Sequence, residues 1–318
     1  MADVPALHDE VASAAGRIGP HVLRTPLLHT PYLDGLAVHL KLESEQHTGS
    51  FKARGALNKV LSLDAAQREA GLLTASTGNH AQGFARALAI AGGRGVICLP
   101  ENADPGKVEA LRRYGVELEF HGRDCLATEL FAKRRAAETG MTWVSPYNDP
   151  AVIAGQGTVG REILEDLPEV DAILATVGGG GLISGIASWV KGERPEVEII
   201  GCLPANAPEM YLSVQRGEHV ELEDPPDTLS DGSAGGFEPG SITFDLCRDL
   251  VDRYVLVSET EIADAIRWMV RHHHKIIEGA AGVALAACMK ERGRLAGKTV
   301  AVVICGANIA YEKLQKIL

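Results

Sequence analysis

The residue types and spacings best suited to chemistry lie in three glycine-bearing loops, each leading into a run with helical periodicity. Val177-Gly178-Gly179-Gly180-Gly181-Leu182 sets four consecutive glycines between an apolar run and the helical stretch 182–190. Successive backbone N–H groups are then open, with no side chain in the way. The helix start adds a partial positive charge, which suits a phosphate. A tight strand-to-helix turn is the plain alternative, and it needs one or two glycines, not four. The second loop, Ser76-Thr77-Gly78-Asn79-His80, brings hydroxyls, an amide and N–H groups to a helix start over 81–91. That set suits a carboxylate, although Ser76, Thr77 and Asn79 would serve equally as ordinary N-caps. His80 alone reads as a hydrogen-bonded structural histidine. The third loop, Thr48-Gly49-Ser50-Phe51-Lys52-Ala53-Arg54-Gly55, places Lys52 in the first turn of a helix continuing over 56–61. Burial and cationic surroundings would depress its pKa and free its amine for Schiff-base chemistry. On spacing alone Lys52 is a weak candidate, because a lysine is far more often a solvated surface charge than a catalyst.

Other patterns carry less. Gly155-Gln156-Gly157-Thr158-Val159-Gly160 matches GxGxxG, but Pro146 and Pro150 precede it where the dinucleotide motif needs a strand. Helix packing through small residues explains those glycines better. His272-His273-His274 point in different directions around a helix, so they do not converge on one metal and read as helix-end polar residues. Six cysteines (Cys98, Cys125, Cys202, Cys247, Cys288 and Cys305) lie far apart with no CxxC pair, as reduced thiols of a cytosolic protein do.

Elements that could position these loops follow from apolar patterning. Strands are expected over 96–99, 116–120, 142–144, 172–177, 197–203 and 299–304, each apolar enough to be covered on both faces. Ser258 and Glu261 form a capping box ahead of Ile262, Ile266, Met269 and Val270 on one helix face. Short strands alternating with amphipathic runs predict an α/β chain built on mostly parallel sheets. The tract Ser145-Pro146-Tyr147-Asn148-Asp149-Pro150 reads as a linker, and 221–240 as the longest irregular loop. The middle third is then a smaller domain: 1–69 with 146–318 form a large domain, and 70–145 a small mobile one. In 318 residues, 31 Lys and Arg stand against 42 Asp and Glu, a net charge of −11 that disfavours nucleic acid as a partner. No apolar run reaches the ~20 residues of a membrane span.

Taken together and in this order, Ser50-Phe51-Lys52-Ala53-Arg54-Gly55, Ser76-Thr77-Gly78-Asn79-His80 and the tetraglycine resemble fold-type II pyridoxal-phosphate enzymes. The similarity is greatest to the serine/threonine dehydratase and serine racemase branch, and it spans nearly the whole chain. It implies a two-domain α/β fold, each domain an open, twisted, mostly parallel sheet flanked by helices. The cofactor would be pyridoxal 5'-phosphate, and the protein a cytoplasmic homodimer. The resemblance makes Lys52 the Schiff-base lysine and proton-transfer base. It places Phe51 against the cofactor ring and Asn79 on its 3-hydroxyl oxygen. Gly178, Gly179, Gly180, Gly181 and Leu182 would hold the phosphate, and Ser76, Thr77, Gly78 and His80 the substrate carboxylate. Cys305 would face the pyridine nitrogen. Glu278 corresponds to a family glutamate near the ring, and reads equally as a helix-linker carboxylate.

The implied reaction removes water and then ammonia from a β-hydroxy amino acid such as threonine or serine, leaving a 2-keto acid. A neutral thiol at Cys305 cannot hold a full proton on the ring nitrogen, which favours elimination over transamination. Thr77 stands where racemases tend to have Ser and dehydratases Ala, so an amino-acid racemase with Thr77 as second-face acid is the rival enzyme. Leu203 stands where metal-activated relatives carry a carboxylate, which leaves Glu209 alone and predicts no metal dependence. Asp231-Gly232-Ser233-Ala234-Gly235-Gly236-Phe237 looks more like the dehydratases of hydroxyectoine catabolism, and a 3-hydroxyaspartate-type substrate is a further option. The chain ends ten residues after Asn308, as in short catabolic dehydratases. Rivals of other classes are a non-catalytic cofactor-binding sensor and a nucleotide-binding oxidoreductase built on Gly155 to Gly160.

Overall fold

The computed structural model describes residues 4–103, 105–123 and 125–318, the side chains of Pro5, Cys125 and Leu126 excepted. Ten strands are seen among the described residues: β1 (Leu27–Thr30), β2 (Ala37–Lys41), β3 (Leu72–Ala75), β4 (Gly95–Leu99), β5 (Glu117–Phe120), β6 (Thr142–Trp143), β7 (Ala172–Thr176), β8 (Glu198–Pro204), β9 (Arg253–Val257) and β10 (Thr299–Val303). They form a six-stranded sheet ordered β1-β2-β10-β7-β8-β9 and a four-stranded sheet ordered β5-β4-β3-β6. Every pairing is parallel except β1 with β2. The chain enters the larger sheet with two strands, leaves to build the whole smaller sheet, and returns, so β3 to β6 form one continuous insertion.

Apolar sequence explains the central strands. β7, β8 and β10 are buried almost throughout on both faces, with the helix Gly279–Lys290 packed on all three. The expectation of two-sided cover fails at β5, an edge strand whose Glu117 and Phe120 are exposed. The expected strand at 142–144 is a two-residue edge, β6. Four strands escape apolar reading: β1 and β2 carry His29 and His39, β9 begins with Arg253, and β3 is only four residues long.

The capping box is present: Ser258 Oγ accepts from Glu261 N, and Glu261 Oε2 accepts from Ser258 N at 2.7 Å, opening the helix Glu259–His273. His272 and His273 spread onto Tyr32 and Trp268. The GxGxxG run lies inside the helix Pro150–Asp166, not after a strand. A β-carbon on Gly155 would stand 2.7 Å from Gly55 Cα, and one on Gly157 would stand 2.8 Å from Gly185 O. Those glycines therefore let this helix lie directly on the backbones of helices Lys52–Ser62 and Gly181–Glu193. The described cysteines Cys98, Cys202, Cys247, Cys288 and Cys305 are free and buried, while the Cys125 side chain lies outside the described residues.

A buried ionic cluster ties the Lys52 helix to this frame. Arg54 is fully enclosed and makes two-pronged contacts with Glu43 (2.8 and 2.8 Å) and Glu162 (2.7 and 2.9 Å). Lys41 Nζ donates to Glu162 and to Thr25 O. Planar guanidinium geometry suits such paired carboxylates, and each charge has a partner.

Candidate active site

Lys52, Ser76, Gly178 and Cys305 follow β2, β3, β7 and β10, so their loops all leave the carboxyl ends of parallel strands, where α/β sheets bind ligands. The loops meet at a cleft of about 1320 Å³ between the two sheets. Lys52 is the first residue of the helix Lys52–Ser62. Its Nζ donates to Pro146 O at 2.6 Å and lies 5.2 Å from the centre of the Phe51 ring. Burial lowers the Lys52 pKa to about 8, while Cys305 and Glu278 pull the other way. Phe51 N donates to Cys305 O at 3.1 Å, and Ser50 bridges Gly306, which seats the lysine loop against the end of β10.

The tetraglycine runs from β7 into the helix Gly181–Glu193, with Gly180 in the left-handed region at φ 84°. Among the described residues, nothing accepts from the backbone N–H groups of Gly178 through Ile183. Protein closes in from the sides: a β-carbon on Gly178 would stand 2.8 Å from Ser233 Cα, and one on Gly179 2.5 Å from Tyr147 Cγ. Only glycine permits that approach, and the result is a row of free amides at a helix start, the requirement for an anion.

The Ser76 loop behaves similarly. Gly78 is the N-cap of the helix Asn79–Ala91 and no side chain caps it, so the plain capping explanation fails. Ser76 Oγ accepts from Gly78 N at 3.2 Å, and among the described residues nothing accepts from the N–H groups of Asn79, His80 and Ala81. Thr77 lines the cleft beside them. His80 forms the buried floor, its Nε2 facing Val144 O at 3.4 Å. Burial first and Lys52 second push its pKa down to about 3, so it is a neutral ring, as a structural histidine should be.

Asn79 also lines the cleft. Its Nδ2 donates to both oxygens of Glu278, at 2.9 and 3.0 Å, and its Oδ1 accepts from Asn308 Nδ2 at 2.6 Å. Glu278 therefore lines the cleft from the end of the linker between the helices Glu259–His273 and Gly279–Lys290. Burial raises its pKa to about 7. Cys305 is buried nearby, and burial holds its thiol well above its ordinary range, hence neutral.

Sequence reasoning also missed Pro146 and Tyr147. Their tract is a wall of the cleft as well as a connection. Tyr147 Oη accepts from Glu238 N at 2.8 Å, and Glu238 takes Asn148 Nδ2 at 2.6 Å and the Lys133 ammonium across the cleft. Asp149 Oδ1 caps the next helix through Ala151 N and Val152 N. The only signal in the sequence was the Pro-aromatic pair itself. Leu182 lines the cleft behind the glycines, and Glu209 stands at its edge, nearly buried. Among the described residues, no three His, Cys, Asp or Glu side chains stand together as metal ligands would.

A half-buried lysine amine in one cleft with a row of free amides defines a site for a phosphate-bearing carbonyl cofactor, in a fold of two helix-flanked, mainly parallel sheets. Residues 18–306 match the family of pyridoxal-phosphate dependent enzymes. The chain is 41% identical over 313 residues to the L-threonine ammonia-lyase of Thermotoga maritima, covering 98% of this chain and 77% of that protein. It is 37% identical to the catabolic L-threonine dehydratase TdcB of Staphylococcus aureus, covering 97% and 91%. Among solved structures it resembles the processed threonine deaminase isoform 2 of Solanum lycopersicum, with a TM-score of 0.94, 32% identity, and 99% and 93% coverage. Maize serine racemase superposes with a TM-score of 0.91 at 32% identity, covering 97% and 95%. The chain belongs to the pyridoxal-phosphate-dependent enzymes, in their fold-type II serine/threonine dehydratase and serine racemase branch. Its cofactor is pyridoxal phosphate, which the free amides and the half-buried amine fit.

Proposed function

We propose that this protein is an ammonia-lyase that dehydrates and deaminates a β-hydroxy amino acid such as threonine or serine. The observation that carries this reading is the Lys52 amine, half-buried, hydrogen-bonded to Pro146 O and brought by its surroundings to about 8, in one cleft with the Gly178 to Leu182 amides, which are unpaired among the described residues. The names of the relatives support the substrate class. Gly178, Gly179, Gly180, Gly181 and Leu182 would hold the cofactor phosphate, Phe51 its ring, and Lys52 its carbonyl carbon. Bound there, pyridoxal phosphate supplies an electron sink for the pair left when the substrate loses its α-proton.

The chain's own groups do the rest. The N–H groups at the start of the helix Asn79–Ala91, with Ser76 and Thr77, hold the substrate carboxylate. Lys52, partly unprotonated near neutral pH, takes the α-proton. The β-hydroxyl leaves as water, and the dehydrated amino acid hydrolyses to a 2-keto acid and ammonia. Cys305 offers a neutral thiol and no carboxylate to the ring, which favours prompt loss of the β-substituent.

We read residues 70–145, which contain β3 to β6, as a domain that closes on the rest, and the protein as a cytoplasmic homodimer. Buried free thiols support the compartment, and light scattering tests the dimer. A racemase is the second reading, favoured by the Thr77 hydroxyl in the cleft. The deciding experiment supplies D- and L-threonine, D- and L-serine and 3-hydroxyaspartate to the loaded protein and follows keto acid, ammonia and enantiomer exchange. Borohydride reduction and peptide mapping should attach the cofactor to Lys52. A label on another lysine, or exchange faster than keto-acid release, refutes the lyase reading.

A further inference from the structure

Asn79 and Glu278 lie on opposite sides of the cleft. Asn79 opens the helix after β3, while Glu278 precedes the helix Gly279–Lys290, which packs on the larger sheet. The Asn79 amide is held at both ends, its nitrogen on Glu278 and its oxygen on Asn308 Nδ2. Asn308 Nδ2 also donates to Thr48 O at 2.8 Å, and Asn308 N donates to Glu278 Oε2 at 3.1 Å. Turning the Asn79 amide over would set N–H against N–H at one end and oxygen against oxygen at the other. Glu278 is itself seated, with its N–H donating to Gly306 O at 3.1 Å. A β-carbon on Gly306 would stand 2.5 Å from Glu278 Oε1, so that glycine makes room for the carboxylate.

We propose that Glu278 is a positioning residue for Asn79: together with Asn308 it locks the Asn79 amide in one orientation across the cleft, beside Lys52. The proposal rests on the cofactor reading above, in which Asn79 is a cofactor contact. It goes further by assigning Glu278 and Asn308 a task that neither performs by touching the reacting atoms. The charged and titratable groups around Glu278 are Lys52 at its helix start, Cys305 after β10, Asp231 on the long loop, and Lys107, whose ammonium acts to lower the carboxyl. Asp231 in turn stands 3.5 Å from Lys107 and from Lys313. Burial has already brought Glu278 to about 7, so its charge, and with it the grip on Asn79, changes near neutrality.

The test compares loaded wild type, E278Q, N79A and the double variant, after circular dichroism shows each folded. E278Q places an NH₂ group against the Asn79 or Asn308 donors. It should bind the cofactor within about threefold of wild type, because the glycine amides are untouched, yet lose about 10–100-fold in kcat. Adding N79A to E278Q should cost less than about twofold more, the non-additivity expected when one residue acts through the other. The cofactor's visible band should lose its pH shift near 7 in E278Q and recover part of it in E278D. Full additivity of E278Q and N79A, or wild-type kcat and band titration in folded E278Q, overturns the proposal. If E278Q does not fold, N308A takes its place with the same non-additivity expected, and additive losses overturn it. A wild type that forms no visible band with cofactor refutes the cofactor reading instead, so the two failures are distinct.

Discussion

The ring of Tyr147 fills the space that a side chain on Gly179 would need, its Cγ 2.5 Å from where a β-carbon would stand. Tyr147 in turn is tethered through its hydroxyl to Glu238 N. The glycine at 179 is thus required by a neighbour 32 residues earlier in the chain as well as by the ligand.

G179A should therefore weaken cofactor binding by about 10–100-fold, the scale of overpacking a tight contact. Absorbance titration measures it. Y147A in the same background should recover part of the loss, and a G179A protein that binds as wild type removes Tyr147 from the account.

The Arg54 cluster predicts a stability effect. R54M leaves Glu43 and Glu162 facing each other with Lys41 alone to serve them, and should cost about 3–5 kcal/mol in urea unfolding. R54K should also be poor, because one ammonium cannot grip two carboxylates with two prongs each. A shift in R54M no larger than that of a surface substitution would show that the cluster is dispensable.

His80 sets part of the acid limb of stability. Its native pKa of about 3 lies below the ordinary 6.5, so between those values the unfolded chain takes a proton that the native protein refuses. Stability is full above pH 6.5 and falls as pH drops toward 3, at about 1.4 kcal/mol per pH unit from this group. H80Q should flatten that limb in thermal melts recorded across the range. An unchanged slope contradicts the assignment.

Divalent metal should change kcat/KM by less than about twofold. Leu203 is buried in β8, and Glu209 is the carboxylate left nearby, too little for a hard cation that seeks six or more oxygens. Assays with chelator and with added Mg²⁺ measure this, and strong activation contradicts it.

Much of the frame was readable because strands such as β7 and β10 are buried on both faces and their residues say so. β1, β2 and β9 were not, since edge position and polar residues such as His29, His39 and Arg253 break the apolar run. Three of the site's loops were readable through glycine and lysine spacing. The partners of those loops were not: Asn79 meets Glu278 across 199 residues, and Lys52 meets a backbone carbonyl at Pro146, a contact no residue type encodes. The resemblance gives Asn79 a place beside the cofactor, but its contact with Glu278 is written nowhere in the local motif.

The helix Pro150–Asp166 touches the Lys52 helix through bare backbone, Gly155 against Gly55. Side chains between helices act as cushions that can turn and take up an error; where Gly155 meets Gly55 the backbones touch directly, and the flanking Gln156 and Asn58 side chains are pinned by hydrogen bonds to Gly55 N and Ala151 O. A shift of the Lys52 helix along its axis must carry the Pro150–Asp166 helix with it, so the reactive amine keeps its place by direct backbone contact. Substitutions at Gly55 and Gly155 should accordingly be felt at the amine, about a turn of helix away, before they are felt as unfolding.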